Sequence, residues 1–268
     1  MDTTNSINTT EKWDDTQGYE MYVGRWSSVL SIDFVNWLNA RGNSKWLEIG
    51  CGTGALTKVI AGKCTPSYLL AIDQSDSYLE KARENTNPGN ISFLNADISS
   101  CDLNQKFHYI TSGLVLNFIP LVEELLRRLV NNLESGGQMS SFVWDYGGHY
   151  QPMRHFWNAA SEMFPGSEKF DAGKNFDICA KEKLIALFER IGLNDIQFTT
   201  IERIATFQNF NDYWLPITSA QGSVTKFMST LTDAEKDKLK ELIKSRLPIA
   251  FNGEIKLVIS VLAVKGRR

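Results

Sequence analysis

The sequence predicts a doubly wound α/β fold, built on an open and mostly parallel sheet, from three observations. A buried strand, a glycine turn and a helix start follow one another between Trp46 and Thr57. Two further apolar runs end, like the first, beside an acidic residue. Strand-length apolar runs then alternate with amphipathic helical stretches to about residue 145. The 268 residues, 43% of them hydrophobic, can bury a full core and exceed one minimal sheet domain.

Each element follows from its residues. Met1 to Glu11 is polar and reads as disordered, while Trp13 to Arg41 carries Val29, Ile32, Phe34, Val35, Trp37 and Leu38 at helical spacing. The first strand ends in Trp46-Leu47-Glu48-Ile49. Gly50 and Gly52 let the backbone turn and approach a ligand without a Cβ in the way, and Leu56, Val59 and Ile60 give the next helix its core face. Glu48 stands at the strand's carboxyl end, where open α/β sheets bind ligands. The second strand, Ser67 to Asp73, leads through Ser75 as N-cap into a helix reaching Arg83. Asp73 lies about 20 residues beyond the glycines, the spacing at which a carboxylate meets ribose hydroxyls.

The third run, Ile91 to Ile98, contains Asp97 beside Ile98, a pair able to bond an adenine amino group and cover its ring. Phe107 to Ser112 forms the fourth strand. Pro120 opens a helix from Leu121 to Leu133 that Gly136-Gly137 closes, and a fifth strand runs through Val143. A helix over Lys181 to Ile191 turns Leu184, Leu187, Phe188 and Ile191 inward and stops at Gly192. Two more strands fall near Ile196 to Arg203 and Lys256 to Val264.

The spacing Gly50-x-Gly52-x-Gly54 departs from the G-x-G-x-x-G of dinucleotide folds. That loop, Asp73, Ala96-Asp97-Ile98 and the strand Phe107 to Ser112 together resemble the class I S-adenosylmethionine-dependent methyltransferases, of the small-molecule type related to the ubiquinone/menaquinone methyltransferase-like group. The resemblance implies a seven-stranded, mostly parallel sheet with an antiparallel last strand and an α-helical lid. It implies S-adenosyl-L-methionine as cofactor and S-adenosyl-L-homocysteine as product. Gly50, Cys51, Gly52 and Thr53 would surround the methionine part, Asp73 would hold the ribose, Gln74 would lie by the adenine, Asp97 and Ile98 would take the adenine edge, and Gly113 would offer backbone contacts. Glu48 is counted with them. Tyr22 and Arg25, ahead of the first strand, would reach the cofactor's carboxylate, the alternative being a packed helix with a solvated arginine. His108 stands where relatives commonly place an aspartate and reads as structural.

Residues 1–40 are expected to form an N-terminal helical lid segment and 41–268 the cofactor-binding domain, with lid insertions near 145–180 and 205–252. The last insertion holds a capped helix, marked by Thr232-x-x-Glu235 and a stripe of Leu239, Leu242 and Ile243. Asn117, Trp144, Tyr146, Trp157, Tyr213 and Trp214 are candidates for an acceptor pocket, and lid packing is the other fate open to the aromatics. A general base is needed only when the acceptor must lose a proton, and His149 and His155 are the candidates, against a reading as packing histidines.

Lys+Arg 28 against Asp+Glu 31 gives a net charge of −3 without a long basic run, which argues against a polymeric nucleic acid substrate. Cys51, Cys64, Cys101 and Cys179 lack C-x-x-C spacing, so neither zinc nor a disulfide framework is expected, and no metal site is assigned. No segment approaches the ~20 apolar residues of a membrane span, and a cytoplasmic protein acting on a small molecule is expected. Ser112-Gly113-Leu114-Val115 replaces the Asn/Asp-Pro-Pro-aromatic motif of nucleic acid amino-methyltransferases. The alternatives are a non-catalytic S-adenosylmethionine-binding or sensing protein and, disfavoured by the glycine spacing, a NAD-dependent oxidoreductase.

Overall fold

A computed structural model describes residues 24–87, 89–219 and 222–268. Tyr22 and the disorder expected of residues 1–11 lie outside the described residues. The first described helix is α1 (Arg25–Leu38), whose buried face of Leu30, Phe34, Val35 and Leu38 packs on the sheet through Phe34 and Phe142, ring centroids 4.6 Å apart. Strand β1 (Lys45–Ile49), helix α2 (Ala55–Cys64), strand β2 (Tyr68–Asp73), helix α3 (Asp76–Asn85) and strand β3 (Ile91–Asn95) follow. Then come β4 (Phe107–Gly113), a 3-10 turn at Leu116–Phe118, α4 (Val122–Val130) and β5 (Leu133–Trp144). The remainder comprises α5 (Gln151–Met163), α6 (Ala172–Asn175), α7 (Lys181–Arg190), β6 (Asn194–Phe207), α8 (Phe210–Ser219), α9 (Ser223–Met228), α10 (Asp233–Arg246) and β7 (Ile255–Arg267).

The strands form one seven-stranded sheet in the order β3-β2-β1-β4-β5-β7-β6, parallel from β3 to β5 and antiparallel on both sides of β7. This is the expected doubly wound architecture with its reversed last strand. Because β1 is covered on both faces, Trp46, Leu47, Glu48 and Ile49 are all buried, and the apolar run is nearly continuous rather than alternating. The order turns back at β1 and β4, so the carboxyl ends of those two strands bound the crevice where such sheets take ligands.

Some boundaries differ from expectation for identifiable reasons. The helix expected to reach Leu133 stops at Val130, because Asn132 donates its side chain to the Leu103 and Gln105 carbonyls at 2.7 and 3.0 Å and Leu133 pairs with Phe107. Gly136-Gly137 therefore lies within β5, where the register slips, and not at a helix end. The third strand stops at Asn95 because Asp97 turns the chain, its carboxylate accepting the Ser99 N–H at 2.8 Å. Strands β6 and β7 are longer than their apolar cores, since they pair with each other from Phe207↔Ile255 to Asn194↔Arg267.

The two insertions fold as helices over one another. Phe227 of α9 meets Phe156 and Trp157 of α5 and also Phe164 and Phe170, with centroids 5.6 to 6.2 Å apart. Trp214 stacks on Phe210 at 5.8 Å, and the buried Tyr213 hydroxyl donates to the Pro152 carbonyl at 2.9 Å. The capping box is present: Thr232 Oγ1 accepts from the Glu235 N–H while Glu235 accepts from the Thr232 N–H.

Candidate cofactor and acceptor site

The glycine loop is shaped by its neighbours. Gly50 and Gly54 sit at φ of 64° and 87°, conformations that side-chain-bearing residues seldom adopt. A Cβ on Gly50 would lie 2.5 Å from Val115 Cγ2, and one on Gly54 would lie 3.1 Å from Ala82 Cα. The loop is thus pressed between the turn after β4 and helix α3. The Cys51 N–H donates to the Ile72 carbonyl at 3.0 Å, and Asn85 Nδ2 donates to the Thr53 carbonyl at 3.0 Å, so both sides of the loop are fixed.

Asp73 occupies the place its spacing gives it, at the carboxyl end of β2. Its Oδ2 accepts the Gly52 N–H at 2.8 Å and its Oδ1 accepts the Ser75 N–H at 3.0 Å, joining the loop to the start of α3. Each oxygen keeps acceptor capacity beyond these bonds, and the residue is only partly covered. Burial raises its pKa, against which the Ser75 and Gly52 N–H groups act. The arrangement can present a carboxylate to a pair of hydroxyls. Gln74 is exposed beside it, its carbonyl accepting from Asn95 Nδ2 at 3.2 Å.

Four residues on the cofactor side are placed differently from the sequence reading. Glu48 is 1% exposed, and its Oε2 accepts the Thr57 hydroxyl at 2.7 Å, so it braces the first turn of α2 beneath the loop instead of facing a ligand directly. Burial and the neighbouring Asp73 push its pKa up to about 8, in spite of the Thr57 bond. Ile98 is buried in the main core, while Asp97 is exposed with one oxygen spent on its own turn. Arg25 is not free for a carboxylate of the cofactor. Its guanidinium bonds Asp212 at 2.7 and 3.2 Å and the Thr206 carbonyl at 2.9 Å, and it lies over the Trp26 and Phe207 rings. Cys51 and Thr53 are buried within the loop, and Gly113 closes β4 against the Phe142 ring.

On the acceptor side, Asn117 follows β4 two residues after Val115, the side chain that presses on Gly50. Neither Oδ1 nor Nδ2 of Asn117 has a partner among the described residues, and both atoms are shielded from solvent. The aromatic candidates are packing residues: Trp144 stacks on Tyr150 at 4.4 Å, Tyr146 is wedged against Tyr150 and Phe176, and Trp157, Tyr213 and Trp214 are at most 6% exposed inside the helical cover. The histidines do not form a base site. His149 is exposed and pairs with Glu202 at 2.8 Å, which raises its pKa, whereas His155 is half-buried on α5 and burial lowers its pKa. His108 accepts the Lys45 N–H at 3.0 Å and ties β1 to β4, a structural role as read.

Sequence reasoning missed Thr57, Asn85 and the lysines of a cleft of about 380 Å³ beside the end of β5. The cleft is lined by Lys174, Lys181 and Lys183 together with Asp145, Asp177 and Phe176. Thr57 was readable as the first-turn hydroxyl on the face of α2 toward Glu48. The cleft was not, because nothing in the spacing brings residues 174–183 to Asp145.

Comparison with known proteins bears on the family and the fold. Residues 47–137 match the model of a methyltransferase domain family. The malonyl-[acyl-carrier protein] O-methyltransferase of Acetivibrio thermocellus is 28% identical over 170 residues, covering 62% of this chain and 58% of that protein, so the match spans little more than half of the relative's length. The trans-aconitate 2-methyltransferase of Agrobacterium fabrum is 29% identical over 93 residues, 35% of this chain and 36% of the relative. Among solved structures, a Bacillus halodurans protein superposes with TM-score 0.59 at 14% identity, over 88% of this chain and 97% of that one. A Haemonchus contortus phosphoethanolamine N-methyltransferase, solved with S-adenosylhomocysteine, gives TM-score 0.58 at 14% identity over 94% of this chain and 56% of that one. At such identities the structural likeness speaks for the fold. No helix among the described residues is long and apolar enough to cross a membrane.

Proposed function

We propose, from the premise that this chain is a class I S-adenosylmethionine-dependent methyltransferase, that it methylates an oxygen of a small acidic acceptor and releases S-adenosylhomocysteine. The observation that carries the cofactor half is the Asp73 carboxylate, held by Gly52 and Ser75 at the end of β2 with acceptor capacity left for two hydroxyls. The Gly50–Thr53 loop, tied to Asp73 through the Gly52 N–H, stands beside it as the segment assigned to the methionine part. S-adenosylmethionine supplies a methyl group that is already activated by the sulfonium. The chain's own residues therefore have to position and to shield, and such positioning is worth ~7 to 11 kcal/mol when attack geometry is held.

The acceptor half rests on what the site provides. His149 is tied to Glu202 at the surface, and His155 lies on the helical cover, so neither is placed as a base by its contacts. A carboxylate oxygen is already deprotonated at neutral pH and needs no base. The three lysines of the cleft beside β5 and the unpartnered Nδ2 of Asn117 are donors suited to an anionic group. The relatives act, by their names, on malonyl-[acyl-carrier protein] and trans-aconitate, both acids.

The test uses S-adenosylmethionine labelled in its methyl group with a panel of di- and tricarboxylic acids and their thioesters. Label that alkali releases as methanol is the expected result. Transfer into alkali-stable products only would overturn the ester-forming half, and failure to bind S-adenosylmethionine in calorimetry, with NAD binding instead, would overturn the whole.

A further inference from the structure

Glu48 is the buried group that the proposed function leaves without work. It sits in the middle of the sheet two residues before Gly50, paired across with Ala71 of β2 and Thr111 of β4. The groups that face it can be named element by element. Helix α2 gives the neutral Thr57, with Lys58 on the exposed side; β2 gives Asp73, a second carboxylate; the loop gives Cys51, whose thiol burial pushes up; and α3 gives Arg83, which acts on Cys51. No described cation pairs with Glu48. The fold has therefore buried a carboxyl group without its counter-ion, directly under the loop assigned to the methionine part.

S-adenosylmethionine and S-adenosylhomocysteine differ by one methyl group and by the fixed positive charge on sulfur. That charge is the counter-ion the site lacks. Resting on the methyltransferase reading above, we propose that Glu48 distinguishes cofactor from product by charge, losing its proton to solvent when the sulfonium is bound and keeping it when the thioether is bound. The ligand that favours the ionised carboxylate must, by linkage, bind more tightly as pH rises relative to the ligand that does not. The ligands' own ammonium titrates at lower pH in S-adenosylmethionine, whose sulfonium disfavours a second positive charge, but that contribution is common to wild type and Glu48→Gln and is removed by comparing the two proteins. Product inhibition would thus weaken toward alkaline pH, through a residue that touches neither ligand.

The experiment is calorimetric titration of each ligand at pH 7.5 in phosphate and in Tris, whose ionisation heats differ, on wild type and Glu48→Gln. Glutamine can still accept the Thr57 hydroxyl and resembles the protonated acid, so the variant should fold. The proton release with S-adenosylmethionine less that with S-adenosylhomocysteine should be about 0.5 to 0.8 larger in wild type than in Glu48→Gln, given a resting pKa of about 8. Relative to Glu48→Gln, the wild-type preference for S-adenosylmethionine should rise several-fold between about pH 6.5 and 8.5, and in the variant only the ligands' own titration should remain. The same proton difference in wild type and in Glu48→Gln overturns the inference by itself, as does a variant that keeps the full wild-type pH trend. If wild type binds neither ligand, the methyltransferase premise fails and the inference goes with it, a result distinct from binding without a proton difference.

Discussion

Asp73 holds two backbone N–H groups as well as the position expected for a ribose contact, so its loss acts twice. Asp73→Ala should weaken S-adenosylmethionine binding about 10- to 100-fold, the loss expected for charge-assisted hydrogen bonds of about 1.5 to 3 kcal/mol. Calorimetry checks it, and unchanged affinity would remove this carboxylate from the cofactor site. Gly50→Ala tests the loop itself, since it forces a Cβ into Val115 at a positive φ. We expect a cost of about 2 kcal/mol, seen as a Tm several degrees lower, with Val115→Ala restoring part of it. Asp73 and the glycines were legible because covalent spacing alone fixes where they fall. The contacts of Glu48, Arg25 and Ile98 were not legible, because spacing gives a strand end or a helix start but not the direction of a side chain. Glu48 turned to the Thr57 hydroxyl, Arg25 found a bidentate acid in Asp212 far along the chain, and Ile98 went to the core.

At the scale of elements, the alternation of apolar strand and amphipathic helix located β1, β2 and β4 and α2, α3 and α7 closely, since each carries its own burial pattern, and placed the start of β3 but not its end. Helix α4 was drawn too long because Asn132 and Leu133 look helical locally, and only the pairing of Leu133 with Phe107 shows that β5 has begun. The covering helices were foreseen as segments, without their packing. Their aromatics contact one another, so Trp157→Ala should behave as a core deletion. It should lower stability by about 3 to 5 kcal/mol in chemical denaturation, with S-adenosylmethionine affinity retained below the midpoint. A folded variant of full stability with altered acceptor choice would return Trp157 to the pocket.

For the molecule as a whole, Glu48 predicts an unusual pH dependence. Its folded pKa, raised to about 8 from an ordinary 4.5, means that the folded protein binds the extra proton between those values. Stability from this group is full below pH 4.5 and declines as pH rises toward 8, by about 1.4 kcal/mol per unit at most. The lowered carboxylates Asp212, Glu123 and Glu235 act in the opposite sense and only in the acid range, while the raised His149 and the lowered His155 act within this window in opposite senses and equally in wild type and Glu48→Gln. Urea midpoints should therefore fall more steeply from pH 5.5 to 8 in wild type than in Glu48→Gln, and parallel curves would refute the assignment.

The place of β7 between β5 and β6 has a consequence for the order of synthesis. A ribosome makes β6 well before the strand that must separate it from β5, with α8, α9 and α10 emerging in the interval. At ~5 to 20 residues per second, two long strand edges stand unpaired for some seconds. If they met each other directly, they would shut β7 out of the sheet. The intervening helices, which begin to gather their aromatic cover as they emerge, are placed to act as a spacer during that wait, and nascent chains halted after Met228 and after Arg246 should differ in how readily a chaperone engages the open edge.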